Sequence, residues 1–154
     1  MRILFVCLGN ICRSPTAEAA MRGLVAEAGL EDEIEIESAG TGDWHVGYPP
    51  DERSVAAAAE RGVELTGEAR QVAHGDFEKF DLLIAMDGQN RDDLLGMAQS
   101  EADREKVRLL RSYADGDLDV PDPYYGGDDS FGEVVEIVER SCEALLEQVS
   151  PDLR

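Results

Sequence analysis

The residues best equipped for chemistry stand near the start of the chain, where Cys7, Arg13 and Ser14 share the stretch VCLGNICRSPTAEA. Deprotonated cysteine is a strong nucleophile, and a positive field favours loss of its proton. Arg13 supplies such a field, as a planar, permanently charged fork that can hold two phosphate oxygens. Between them, Leu8, Gly9, Asn10, Ile11 and Cys12 read as a tight loop, with Gly9 and Asn10 the residues that tolerate positive φ. Loop amides and a following helix N-terminus present several N–H groups toward one point, so the loop and Ser14 together would bind an oxyanion. A thiolate beneath a bound phosphate is placed to attack phosphorus. Ser14 is placed to donate a hydrogen bond to the Cys7 sulfur and help it leave later. The pattern Cys-x5-Arg-[Ser/Thr] arises by chance in roughly one such chain in 60, and the elements around it narrow that further.

A phosphate ester also needs a proton for its leaving oxygen. Asp122 is the candidate general acid. Pro123 stiffens its turn, and Tyr124 and Tyr125 are placed to hold an aromatic ring. The residues alone equally allow a plain Asp-Pro turn, and Asp119 is a competing acid. Trp44 falls in a loop, either as a packing residue or as a stacking wall for substrate. Asn10 is expected to hold the loop by hydrogen bonds, with Ser38 as its partner. Cys12 is either a buried thiol or a resolving cysteine that forms a disulfide with oxidised Cys7. Cys142, among Val138 and Leu145-Leu146, reads as core. His45 and His74 receive no role. With no CxxC and no Cys/His cluster, neither a metal nor another cofactor is expected.

The surrounding pattern supplies the elements that must position these groups. Ile3, Leu4, Phe5 and Val6 are a short apolar run suited to a strand buried on both faces. Ser14, Pro15 and Glu18 open a helix, with Ser14 as its N-cap, and the helix runs to Ala28. Ile34 and Ile36 alternate with glutamates into a second strand ending at Ser38. A helix follows from Asp51 or Glu52 to Ala59, then a helical turn at 76–80. DLLIAM at 81–86 is a third strand, Asp87 caps a helix to Met97, and Val107 to Leu110 is a weak fourth strand. Ser112 to Asp129 reads as a long loop and Phe131 to Val149 as the last helix. Strands alternating with helices mean an α/β fold, a parallel sheet with helices on both faces. Ligands in such sheets bind beyond the carboxyl ends of the strands. The loops carrying Cys7, Trp44, Asp87 and Asp122 each follow a strand, so they should share one rim.

Length and charge bound the rest. A chain of 154 residues suits a single domain spanning 1–154. Its net charge is −20, from 34 acidic and 14 basic residues, and its only lysines are Lys79 and Lys106. Such a field opposes nucleic acid and anionic membranes as partners. Disorder is excluded by the 43% of hydrophobic residues and their patterning. The charge fits instead a protein of a high-salt cytoplasm, where acidic surfaces stay hydrated and self-repulsion is screened. No targeting segment or membrane span is visible, and three unpaired cysteines suit a reduced, cytoplasmic protein.

The phosphate-loop stretch resembles that of the low-molecular-weight protein tyrosine phosphatases. Similarity continues through SAGTGDWHVGYPPD at 38–51, ARQ at 69–71, DFEKFDLLIAMD at 76–87 and DPYYG at 122–126, covering nearly the whole chain. The resemblance implies a doubly wound, flavodoxin-like sheet of order 2-1-3-4. It implies a cysteinyl-phosphate mechanism with Cys7 as nucleophile, Arg13 as clamp and Asp122 as acid, acting on tyrosine-phosphorylated proteins or small aryl phosphates. A monomer is the expected state. The resemblance also implies that Trp44 lines the entrance, that Cys12 pairs with Cys7 under oxidation, and that Ile11 favours phosphotyrosine where Thr would favour phosphoarginine. One departure is Gly67, where many members carry a His beside the loop. The alternatives on the same fold are a protein arginine phosphatase and an arsenate reductase. The latter lacks its relay cysteines here, since none lies between Cys12 and Cys142.

Overall fold

A computed structural model describes residues 1–116, 118–124 and 126–153. The chain runs β1 (Arg2–Cys7), α1 (Arg13–Glu27), β2 (Glu35–Gly40), α2 (Glu52–Ala59), α3 (Gly75–Lys79), β3 (Leu82–Ala85), α4 (Gly88–Met97), α5 (Glu101–Lys106), β4 (Val107–Leu109) and α6 (Asp128–Val149). The four strands pair in parallel in the order β2-β1-β3-β4, as expected. Registers such as Cys7 opposite Gly40 and Val6 opposite Ala85 bring the strand ends to one rim.

β1 lies at the centre of the sheet, and its side chains alternate between two cores. Ile3 and Phe5 join Ala17, Met21 and Val25 of α1 and Val134, Val138 and Leu145 of α6. Leu4 and Val6 face the other way, onto Phe77 of α3, Phe80 and Leu94 of α4. Every residue from Ile3 to Val6 is fully buried, which is why the run is continuously apolar. Cys142 is part of the first core. No helix among the described residues is long and apolar enough to cross a membrane.

Three local expectations are corrected. Ser14 does not cap α1: the helix begins at Arg13, and Cys12 takes the cap position without a side-chain bond. The Ser14 hydroxyl is instead engaged with Cys7 and Asn10. The last helix begins at Asp128 rather than Phe131, because the apolar stripe marks the first buried side chain and not the first helical residue. The helix α5 is absent from the sequence reading. It is six residues long, none of them buried, so it leaves no apolar period. Its signal is local: the Ser100 hydroxyl accepts from the Asp103 amide at 3.1 Å and the Asp103 carboxylate accepts from Gln99 at 3.0 Å.

Candidate active site

The loop between β1 and α1 closes around the Cys7 sulfur. Asn10 adopts the left-handed conformation with φ 57°, a turn that Asn tolerates better than other side chains. That turn aims the Asn10 amide at Cys7 Sγ, 3.2 Å away. Ser14 Oγ lies 2.9 Å from the same sulfur. The Ser14 oxygen accepts from Asn10 Nδ2 at 2.8 Å, which leaves its proton for the sulfur or for the more distant Ala39 carbonyl at 3.4 Å. The Asn10 amide and the Ser14 hydroxyl thus converge on the sulfur.

Asn10 ties this loop to the neighbouring strand. Its Nδ2 also donates to Ser38 Oγ at 3.0 Å, and its Oδ1 accepts from the Arg70 amide at 3.0 Å. Ser38 in turn donates to Glu18 at 2.5 Å, and Glu18 pairs with Arg22. The network is therefore closed without a side chain at position 67. The Arg70 guanidinium grips Asp76 with two bonds of 3.0 and 3.1 Å, which fixes the backbone that serves Asn10. Gly40 completes the packing: a Cβ there would lie 2.6 Å from the Leu8 carbonyl oxygen. The side chains of Asn10 and Ser14 thus brace the loop from behind rather than line the cavity in front.

Arg13 is 2% exposed and held from outside the loop. Its Nη1 donates to Asp87 at 2.6 Å and to the Val120 carbonyl at 3.0 Å. Asp87 also caps α4 by accepting from the Asn90 amide, so the clamp is braced on a helix N-terminus. Burial works against the guanidinium charge, but Cys7, Asp87 and Asp122 outweigh it and hold the proton more tightly than usual. Nη2 lies 3.5 Å from Asp122 Oδ2.

In front of the loop is a cavity of about 370 Å³ lined by Cys7, Leu8, Gly9, Ile11, Cys12, Arg13, Trp44, His45, Asp122 and Tyr124. The two candidate acids separate here. Asp122 lines the cavity, its Oδ1 accepting from the Tyr124 amide at 3.1 Å. Asp119 accepts from the Gly88 amide at 2.9 Å, at the start of α4. Trp44 is 67% exposed, a rim residue and not a core one. Its ring folds back over Gly42, where a Cβ would meet ring carbons at 1.8 Å. Tyr125 lies outside the described residues.

The sequence reading missed several residues that the fold brings in. His45 lines the cavity beside the Tyr48 and Tyr124 rings. The Asp87 cap was legible, but its grip on Arg13, 74 positions away, was not. Cys12 is a free, buried thiol beside Cys7, and burial pushes it up to about 12. Buried Cys142 is pushed upward for the same reason.

A doubly wound sheet with Cys7 and Arg13 of a Cys-x5-Arg loop lining one cavity at its carboxyl rim defines the class: an α/β protein with a Cys-x5-Arg loop. The family model for low molecular weight phosphotyrosine protein phosphatases matches residues 2–154. A low molecular weight protein-tyrosine-phosphatase of Streptomyces coelicolor is 50% identical, over 96% of this chain and 93% of the relative. A protein tyrosine phosphatase of Entamoeba histolytica, solved with Hepes in its active site, superposes with TM-score 0.94 at 37% identity, covering 99% and 98% of the two chains. A Drosophila arginine phosphatase superposes with TM-score 0.89 at 34% identity, covering 96% and 97%. The chain belongs to the low molecular weight protein-tyrosine-phosphatase family, a family of hydrolases.

Proposed function

We propose that this protein hydrolyses phosphotyrosine in two steps through a cysteinyl phosphate. Cys7 attacks phosphorus in line with the leaving phenolate; the loop amides and Arg13 take the charge spread over the three phosphoryl oxygens. Asp122 gives its proton to the leaving oxygen and then takes one from the water that cleaves the S–P bond. Ser14 donates to the departing sulfur. The observation that carries this reading is the convergence of the Asn10 amide and Ser14 Oγ on Cys7 Sγ, with Arg13 and Asp122 lining the same cavity. Leu8, Gly9, Ile11 and Cys12 contribute to the floor and Trp44 and Tyr124 to the aromatic wall for the substrate ring.

The family likeness supports tyrosine, and the arginine phosphatase among the neighbours supplies the second reading. Ile11, an apolar branched residue lining the cavity, favours an aryl ester over a guanidinium. Peptides carrying phosphotyrosine, phosphoserine or phosphoarginine, assayed side by side, decide between them. Preferred hydrolysis of phosphotyrosine is expected, and preferred release from phosphoarginine would reverse the assignment. We read the chain as one domain acting as a monomer in the cytoplasm, on tyrosine-phosphorylated proteins or small aryl phosphates, with no cofactor. The free thiols support a reducing compartment, and the charge supports a high-salt one.

A further inference from the structure

Asp122 and Cys7 sit on loops more than a hundred residues apart, and two side chains outside both loops, Asp51 and Arg53, connect them. Asp51 caps α2, and its backbone amide donates to the Ile11 carbonyl at 2.8 Å, which pins the start of α2 to the phosphate loop. The Asp51 carboxylate grips Arg53 with two bonds, Nε to Oδ1 at 3.1 Å and Nη2 to Oδ2 at 3.0 Å. Arg53 holds that carboxyl below the usual range in return. The remaining arm of the fork, Nη1, donates to the Tyr124 carbonyl at 3.1 Å. The guanidinium plane also lies over two rings, 4.5 Å from the centroid of Phe131 at the start of α6 and 5.3 Å from that of Tyr124. Tyr124 closes the path, because its amide donates to Asp122 Oδ1 at 3.1 Å.

We propose that Arg53 is a positioning residue for Asp122, setting the distance between the acid and the phosphate loop; this rests on Asp122 being the general acid. The path runs from Ile11 through Asp51, Arg53 and Tyr124 to Asp122 by hydrogen bonds of 2.8 to 3.1 Å. It uses the two properties that separate arginine from lysine: a planar fork with donors in three directions, and a flat face that stacks on aromatic rings. Among the described residues, 121–124 and 126–127 belong to no helix or strand. A loop of that kind relies on side-chain tethers for its position, and proton transfer is sensitive to a displacement of about 1 Å.

The test is a leaving-group series of aryl phosphates, from dinitrophenyl to phenyl, with wild type, Arg53→Met, Arg53→Lys, Asp122→Asn and the Arg53→Met/Asp122→Asn double variant. Arg53→Met is expected to lower kcat/KM for phenyl phosphate by about tenfold or more and for dinitrophenyl phosphate by less than about threefold. Arg53→Lys should resemble it, because charge without the fork does not reach both partners. Inhibition by inorganic phosphate should stay within about twofold of wild type, since the anion uses the loop and Arg13. In the Asp122→Asn background the Arg53 effect should vanish. An equal loss across all leaving groups, or a loss that persists in the double variant, would overturn the inference. If Asp122→Asn itself shows no leaving-group dependence, the acid assignment falls and the Arg53 role with it. If Asp122→Asn shows it and the Arg53 variants do not, Arg53 alone is wrong. Thermal melts identify misfolding, and Arg53→Gln, which retains an amide donor, replaces Arg53→Met if that variant does not fold.

Discussion

The phosphate loop and the acid loop face each other across one cavity, and they are held in opposite ways. The phosphate loop is buried and braced from behind: Asn10, Arg13 and Ser14 are each at most 3% exposed, and their partners Ser38 and Arg70 lie beside the same sheet. The acid loop is exposed, with the Asp122 side chain 39% accessible, and is reached by tethers from other elements. An anion clamp acts by presenting fixed charge, and preorganisation is its function. A proton donor must also let product and water pass, and an accessible loop suits that. The difference teaches where damage should appear. Changes behind the phosphate loop should cost both stability and turnover, and changes around the acid loop should cost proton transfer first.

Cys7→Ser should produce the largest effect. Turnover is expected to fall by more than about a thousandfold, while vanadate or phosphate still binds. Residual activity within about tenfold of wild type would remove Cys7 from the mechanism. Arg13→Lys should be nearly as damaging, because an ammonium cannot hold two oxygens while bonded to Asp87.

Asp122→Asn sharpens the contrast. A loss of roughly 10² to 10⁴ is expected for poor leaving groups and a small one for good ones, with melting unchanged. Asp119→Ala should show the reverse, a loss of about 1 kcal/mol from the start of α4 and little kinetic effect. Asp87→Ala belongs with the phosphate loop, since it strips a partner from buried Arg13. A loss of about 3 kcal/mol in urea unfolding is expected, together with weaker phosphate binding. Full stability in that variant would show that Val120 and Cys7 suffice to hold the guanidinium.

Much of this arrangement was legible in the residues. The run Ile3 to Val6 announced a central strand because both of its faces are buried. Strand–helix alternation puts four loops on one rim, which is why the sequence alone could bring Asp122 to Cys7. The hidden parts are of two kinds. Arg53 and Asp87 act through partners 71 and 74 positions distant, and no local pattern encodes that distance. Arg70 serves Asn10 through its backbone amide, a contribution that side-chain identity does not reveal. Ser14 differs from its expected cap role for a related reason. Its hydroxyl suits a helix cap in isolation, and the sulfur and Asn10 compete for it in the fold.

Two smaller effects concern the whole molecule. The net charge of −20 should make stability and activity rise together from about 0.1 M to about 2 M KCl, as the Debye length falls from roughly 10 Å to under about 3 Å. KCl avoids the confusion of sulfate or phosphate binding at Arg13. A flat melting temperature would refute the high-salt reading and leave the catalytic one intact. Cys12 gives a pH effect of defined sign. Folding raises its thiol from 9.0 to about 12 and so favours the protonated form. Stability is therefore full below pH 9 and lost as pH rises towards 12, because the unfolded chain has then released a proton that the folded chain retains. Cys12→Ser should flatten that alkaline slope in melts across the same range. If it also recovers from peroxide as fully as wild type after dithiothreitol, Cys12 is a packing residue and not a protective one.

The central claim is that the Cys7 sulfur carries the phosphoryl group during turnover. Acid quench of the enzyme during hydrolysis of a phosphotyrosine peptide, followed by mass spectrometry of the peptide Ile3 to Arg13, reads this directly. The expected result is one phosphoryl group on Cys7, formed with the first equivalent of tyrosine released and absent from the Cys7→Ser variant. Tyrosine release with no phosphoryl group on that peptide, or with the group on Ser14, would contradict the account.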